Sequence, residues 1–172
     1  ISSKRDWSEV GADYENLIRH QFKNAVAVRE KAFEVKGNLL GKDAMFAIIH
    51  FVRDNIRYRD TQFGGHSIIP QLSEKTLKDY RGDCKDQALL LKEMLATIGI
   101  KSHLTSIPLT GNGYANLPTI QQFDHMMLYI PAQDGIPEMW VDPTDKTGND
   151  RPVPLDMEGK TAFIIDGKNS HI

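Results

Sequence analysis

This chain has a single cysteine among its 172 residues, and that scarcity limits the chemistry open to it. One cysteine excludes an internal disulfide and any metal site built from several cysteine ligands. No apolar run approaches the roughly 18 residues that mark a membrane span. A strong charge of one sign is lacking as well, because 23 acidic and 21 basic side chains leave a net charge of −2. Such a balance gives no indication of a nucleic-acid or acidic-membrane partner.

Apolar periodicity predicts two helices in the first third of the chain. The first is expected to be continuous over residues 7–36, and the second to run over residues 42–56. The face predicted for the first helix consists of Tyr14, Leu17, Ile18, Phe22, Ala25, Val26 and Phe33, with Arg29 as a polar interruption. The core stripe of the second consists of Met45, Ile48, Ile49, Val52 and Ile56.

A third helix is predicted over residues 84–98, and the cysteine stands at its start. Asp83 is a favourable N-cap residue, and Asp86 is placed to bond back to it as a variant of the capping box. Gly99 suits a left-handed position just after the helix. The free amides and the positive dipole end of a first helical turn favour a thiolate at Cys84 and could bind an oxyanion. An inert, buried cysteine is the alternative.

After Gly99 the pattern changes from helical to extended. Strands are predicted over residues 101–109, 126–130, 137–141 and 161–165. Residues 110–122 contain two glycines and a proline, which predicts a loop long enough to act as a flap beside a substrate. Helices followed by an antiparallel sheet indicate an α+β fold in which the Cys84 helix packs on the sheet.

Two polar residues stand at the open end of the predicted hairpin. A turn centred near Asp134 and Gly135 places His125 and Asp142 nearly opposite each other. A carboxylate there could hold one ring nitrogen of the histidine while the other faced the Cys84 thiol, as in a nucleophile, base and acid triad. Taken singly, the histidine is more often a surface or hydrogen-bonded residue, and an aspartate before proline more often starts a turn.

A metal site is a weaker alternative. His125 with nearby aspartates lacks the paired-histidine spacing of the common zinc motifs. Asp142, Asp145, Asn149 and Asp150 do not match the spacing of a calcium-binding loop. We therefore expect neither a metal nor another cofactor.

Five sequence segments resemble the bacterial transglutaminase-like superfamily. They are GDCKD at 82–86, ALLL at 88–91, FDH at 123–125, WVDPT at 140–144 and VRDNIRY at 52–58. The resemblance covers residues 43–144, and more loosely the chain from Trp7 and the last strand. It implies a papain-like α+β fold and assigns the triad roles to Cys84, His125 and Asp142. The family also binds its oxyanion with a side chain upstream of the cysteine, for which Tyr58 and Gln62 are the candidates.

The same resemblance carries expectations about organisation. We expect one domain over residues 1–172, with a helical extension over 1–40, a core bearing the site over 41–150 and a C-terminal segment over 151–172. The chain opens with Ile1, so we expect it to be part of a longer protein with flanking domains. Similar domains often occur in exported bacterial proteins, which suggests a periplasmic or cell-surface location.

The resemblance does not determine the reaction. Members of the superfamily include cross-linking enzymes, proteases, amidases and proteins without activity. We expect thiol-dependent acyl transfer on a protein or peptide amide, with hydrolysis favoured over cross-linking. The alternative is an inactive module in which residues 110–122 bind a peptide or protein partner.

Overall fold

The structure of the protein is a computed structural model that describes residues 6–59, 68–147 and 150–172. Its helices are α1 (Trp7–Ile18), α2 (Val26–Lys36), α3 (Gly41–Asn55), α4 (Ser73–Asp79) and α5 (Cys84–Thr97). Its strands are β1 (Arg57–Tyr58), β2 (Arg81–Gly82), β3 (His103–Ile107), β4 (His125–Ile130), β5 (Met139–Val141) and β6 (Phe163–Ile165). No helix of the described chain is long and apolar enough to cross a membrane.

Strands β3 to β6 form an antiparallel sheet in the order β5-β4-β3-β6. Helix α5 contacts β3 and β4 of this sheet and also contacts α2, α3 and α4. It is the central helix of the core, and Leu89, Leu90 and Leu91 are all fully buried in it. The predicted α+β fold, with the Cys84 helix packed on an antiparallel sheet, is confirmed.

The prediction of one continuous helix over residues 7–36 is wrong, because the structure breaks it between Ile18 and Val26. Four residues of the predicted apolar face are exposed: Leu17, Phe22, Val26 and Phe33. In α2 the buried residues are Val28 and Ala32. A straight helix would turn Val28 roughly 80° away from Ile18, so the break lets each segment direct its own stripe into the core.

The other two helices begin and end within about one residue of their predicted bounds, since their signals are local. All five residues of the predicted α3 stripe are buried. The capping box of Asp83 and Asp86 is formed at the start of α5. Gly99, with φ 82°, takes the left-handed conformation after it. Each predicted strand is present, though three of the four are shorter than predicted.

Residues 110–122 contain one short 3-10 turn, Ile120–Gln122. Gln122 ties this loop together, because its amide group bonds both the main-chain N–H and the carbonyl of Tyr114. The loop also contacts α1, since the indole N–H of Trp7 donates to the carbonyl of Ala115 at 2.7 Å. The N-terminal helix and the predicted flap are thus joined directly.

Candidate functional site

Cys84 is the first residue of α5, and the hydrogen bonds around it fix the start of that helix. Asp83 Oδ1 accepts from the amide of Asp86 at 3.3 Å, and Asp86 Oδ2 accepts from the amide of Asp83 at 3.1 Å. Asp83 also pairs with the ammonium of Lys85. Cys84 as a residue is partly exposed. The sequence around the cysteine therefore builds a rigid helix start at a position that is not fully buried.

His125 is the first residue of β4, and Asp142 follows the last residue of β5. The two strands pair with Leu128 opposite Val141. If this pairing is continued by one residue, Asp142 stands opposite Met127. His125, predicted to stand nearly opposite Asp142, lies two residues before Met127 and is therefore the diagonal neighbour of Asp142. A shift of two residues keeps both side chains on one face of the sheet. His125 Nε2 and Asp142 Oδ2 are 2.7 Å apart.

The Cys84 side chain lies near enough to His125 to raise the pKa of the imidazole. This proximity follows from the packing of α5 on β4. Because Asp142 occupies Nε2, the ring nitrogen left for the thiol is Nδ1. The structure thus brings together the three side chains named from sequence, in the order thiol, imidazole, carboxylate.

The electrostatics of the site favour a charged imidazole. Burial, the largest single influence, lowers the pKa of His125, but the hydrogen bonds to Asp142 and Cys84 and their negative charges outweigh it and raise the pKa to about 10. Burial likewise raises the pKa of Asp142, yet bonds to His125 and Thr144 bring it below its usual value. The buried carboxylate stays ionised beside a cationic imidazole.

Asp142 is held on both its side chain and its backbone. Thr144 donates to Oδ1 from its amide at 2.8 Å and from its hydroxyl at 2.7 Å. Arg53, which is buried on α3, donates from Nε to the main-chain carbonyl of Asp142 at 3.1 Å. These bonds leave Oδ2 directed at the histidine. Arg53 lies in the segment that carries the family resemblance, but its sequence context alone did not indicate this contact.

Tyr14 is a site neighbour that the sequence did not reveal as one. Its hydroxyl donates to the carbonyl of Ile68 at 2.9 Å and lies 3.9 Å from the sulfur of Met126, the residue after His125. Burial raises its pKa, and the charges of Cys84, Asp83 and Asp86 raise it further. The only sequence signal was its place on the apolar face of a helix, which does not distinguish it from a core residue.

Of the two residues predicted to bind the oxyanion, the structure describes only one. Tyr58 stands opposite Gly82 in the pairing of β1 with β2, two residues before Cys84, and its side chain is 52% exposed. Gln62 lies outside the described residues. The main-chain amide of Cys84, in the first turn of α5, is a further donor of the kind that binds an oxyanion.

The residues considered for a metal have other partners. Asp150 binds His50 at 2.9 Å and Arg53 at 3.3 Å. Asp145 accepts from the amide of Thr147, and Asn149 lies outside the described residues. Within ranges 6–59, 68–147 and 150–172, no group of three or more His, Cys, Asp and Glu side chains is arranged to hold a metal ion.

Comparison with known proteins adds a family assignment to this geometry. The family model described as the transglutaminase-like superfamily matches residues 29–141, which is more than half of the chain. The chain belongs to the transglutaminase-like superfamily. The matched segment contains Cys84 and His125 and ends one residue before Asp142. No curated protein matches this chain.

Two solved structures are similar to this transglutaminase-like chain in fold. One is a "putative protease" from Parabacteroides distasonis, with a TM-score of 0.62 and 12% identity, covering 76% of this chain and 26% of that chain. The other is a "putative cysteine protease" from Cytophaga hutchinsonii, with a TM-score of 0.51 and 18% identity, and the match covers 81% of this chain and 44% of that chain. This chain therefore spans less than half the length of either protein. At these identities the two neighbours show that the fold is shared.

Proposed function

We propose that this domain transfers acyl groups from protein or peptide amides through a thioester on Cys84. The observation that carries the proposal is the 2.7 Å bond between His125 and Asp142, with Cys84 near enough to His125 to raise the pKa of its ring. A nucleophile, a base and a group that orients the base are the parts that such chemistry needs. The family and the fold of the two neighbours are consistent with it.

The proposed reaction begins with attack of the Cys84 thiolate on the amide carbon. The carbonyl electron pair moves to oxygen, where the main-chain amide of Cys84 donates a hydrogen bond. Imidazolium His125 then gives its proton to the leaving nitrogen as the C–N bond breaks, which forms the thioester and releases an amine. Asp142 keeps the ring oriented and stabilises its positive charge.

The second half of the reaction decides between hydrolysis and cross-linking. Neutral His125 takes a proton from water or from an amine, which attacks the thioester and expels the Cys84 thiolate. Cys84 is partly exposed, so solvent has access to this residue. Selecting an amine over water at ~55 M needs exclusion of solvent from the site. We therefore favour hydrolysis, and hence an amidase or protease activity.

The test is the rate of iodoacetamide alkylation of Cys84 as a function of pH. The wild type and His50→Ala should react rapidly at neutral pH, while His125→Ala should react slowly. His50 is the matched control because it is also bound to an aspartate, Asp150, but lies on the outer face of α3. Equal rates in the two histidine variants would contradict a coupled thiol and imidazole.

A binding role without turnover is the second candidate, and the surface of the loop favours it. Leu109, Tyr114 and Leu117 are large apolar side chains with exposed fractions of 49%, 67% and 45%. Such a group suits contact with a partner peptide. If the role is binding alone, alanine at all three proposed triad positions should leave partner affinity unchanged, and no amide should be hydrolysed by the wild type.

A further inference from the structure

A cleft of about 630 Å³ opens beside the start of α5. Its walls come from α4, from β2, from Arg59 just after β1 and from the residues on either side of the nucleophile. Gly82, Lys85 and Asp86 all line it. These residues lie within two positions of Cys84, so the cleft begins less than one helical turn from the thiol.

Four basic side chains line this cleft, and two of them are already neutralised. Lys75 forms an ion pair with Asp79, and Lys85 with Asp83. The carboxylate of Asp86 is occupied by main-chain amides, since it accepts from Gln71 at 2.8 Å and from Asp83 at 3.1 Å. The remaining cations are Arg59 and Arg81, both exposed, and neither forms an ion pair within the part of the chain that the structure describes.

The strand pairing gathers these arginines on one face. In the parallel pair β1-β2, Arg57 stands opposite Arg81, and the amide of Arg59 donates to the carbonyl of Gly82 at 3.1 Å. Because side chains alternate along a strand, Arg57 and Arg59 project to the same side, together with Arg81. Like charges held close together are destabilising, so an anion beside them is favoured, and of the three arginines Arg59 and Arg81 line the cleft.

The guanidinium groups and the position of the cleft indicate which class of anion would bind there. The planar guanidinium forms paired hydrogen bonds with a carboxylate, and Arg is the residue best suited to this geometry. A ligand in the cleft contacts residues on either side of Cys84 in the chain, so a peptide substrate held at the thiol could extend into it. We infer that this cleft binds a carboxylate of the peptide substrate through Arg59 and Arg81. This inference rests on the proposed acyl-transfer function, whose substrate class it narrows to peptides with an acidic side chain or a free C-terminal carboxylate.

The test is equilibrium binding of three fluorescent hexapeptides of a single frame, measured by anisotropy on Cys84→Ala. One peptide carries Glu and an amidated C-terminus, the second carries Gln and a free C-terminus, and the third carries Gln and an amidated C-terminus. At least one carboxylate peptide should bind about tenfold more tightly than the neutral one, which is the strength of a charge-assisted hydrogen bond. Its affinity should fall as salt is raised.

Substitutions of single arginines test whether this cleft binds the carboxylate of the peptide. Arg59→Gln and Arg81→Gln should each reduce binding of the preferred peptide about tenfold. Arg19→Gln is the matched control, because Arg19 is exposed at the end of α1, does not line the cleft and bonds to Asn16 and His20, not to a carboxylate, in the described part of the chain. Its affinity should equal that of the parent. Comparison of the two carboxylate peptides shows whether the side chain or the C-terminus supplies the anion.

Three results would overturn the inference: equal binding of all three peptides, no binding of either carboxylate peptide, or an equal loss in Arg19→Gln. Because Cys84→Ala lacks the thiol, none of these results depends on catalysis. The alkylation profile of the wild type tests the thiol chemistry independently. Failure of the cleft proposal is thereby separable from failure of the proposed function.

Discussion

Arg53 connects α3 to the end of β5 by donating from Nε to the main-chain carbonyl of Asp142, with 3.1 Å between the two atoms. The Lys146 ammonium in turn donates to the carbonyl of Arg53 and, at 2.8 Å, to that of Ile56. The segment after β5 is therefore anchored twice on α3. This anchoring determines where the carboxylate of Asp142 meets the sheet, and it provides a first prediction.

Replacing Arg53 by Met should lower the free energy of unfolding by about 2–3 kcal/mol. The substitution removes the charged donor from the buried carbonyl of Asp142, which then accepts only from the amide of Asp145 at 3.3 Å, and it leaves Asp150 without a buried partner. Asp150→Asn is the control, because Asp150 is about one third exposed and its loss should cost no more than about 1 kcal/mol. Urea denaturation measures both values, and equal losses would contradict the anchoring role.

Asp142→Asn should bring the pKa of His125 down from about 10. Burial lowers this pKa, and in the variant Cys84 is left to oppose it without Asp142, so a smaller fraction of the imidazole should be charged at pH 7 and alkylation of Cys84 should slow by roughly tenfold. A histidine pKa raised on folding contributes stability that is complete below about 6.5 and is lost as pH rises towards about 10. The wild type should therefore lose stability over that range relative to the variant. NMR titration of the His125 ring measures the pKa, and an unchanged value would contradict the electrostatic coupling.

Glu93 should make the fold less stable as pH rises. It is 2% exposed on α5, and burial raises its pKa from 4.5 to about 7 although it accepts a bond from the amide of Lys23. The stabilising contribution is complete below pH 4.5 and is lost as pH passes 7. Glu93→Gln keeps an acceptor but no charge. Relative to the wild type it should gain about 2–3 kcal/mol between pH 4.5 and pH 8, measured by urea denaturation. A constant difference between the two proteins would contradict the shifted pKa.

Gly82→Ala should disrupt the start of the nucleophile helix. A Cβ at this position would lie 2.6 Å from Cβ of Asp86, the residue that closes the capping box. Relieving the overlap moves Asp86 away from the amide of Asp83, at a cost of about 1–3 kcal/mol. Alkylation of Cys84 should slow as well. Gly113→Ala is the control, because its new Cβ would meet the ring edge of Phe123 at 3.0 Å, and that side chain can turn away. Thermal unfolding measures the stability of both variants. Equal stability of Gly82→Ala and Gly113→Ala would mean that the helix start tolerates a side chain, which contradicts this prediction.

The sequence by itself predicted the elements whose signals are local. The bounds of α3 and α5, the capping box at Cys84 and the turn at Asp134 and Gly135 depend on residues a few positions apart. Hairpin pairing also follows from local information, since the turn sets the register. The turn therefore predicted that His125 and Asp142 are nearly opposite each other, and the observed pairing sets them two residues apart along the strands, which keeps both on one face of the sheet.

The tertiary structure alone decided which apolar faces are buried and which distant groups meet. The break between α1 and α2 arises because the apolar stripes of the two helices point in different directions. A short stretch of sequence does not show on which side of each helix the core lies. The contacts of Tyr14 with Ile68 and of Arg53 with Asp142 join residues 54 and 89 positions apart. The arginine face of β1-β2 has the same origin, since two strands of two residues carry too little periodicity to be predicted. Such contacts are products of chain packing, which no short-range pattern encodes.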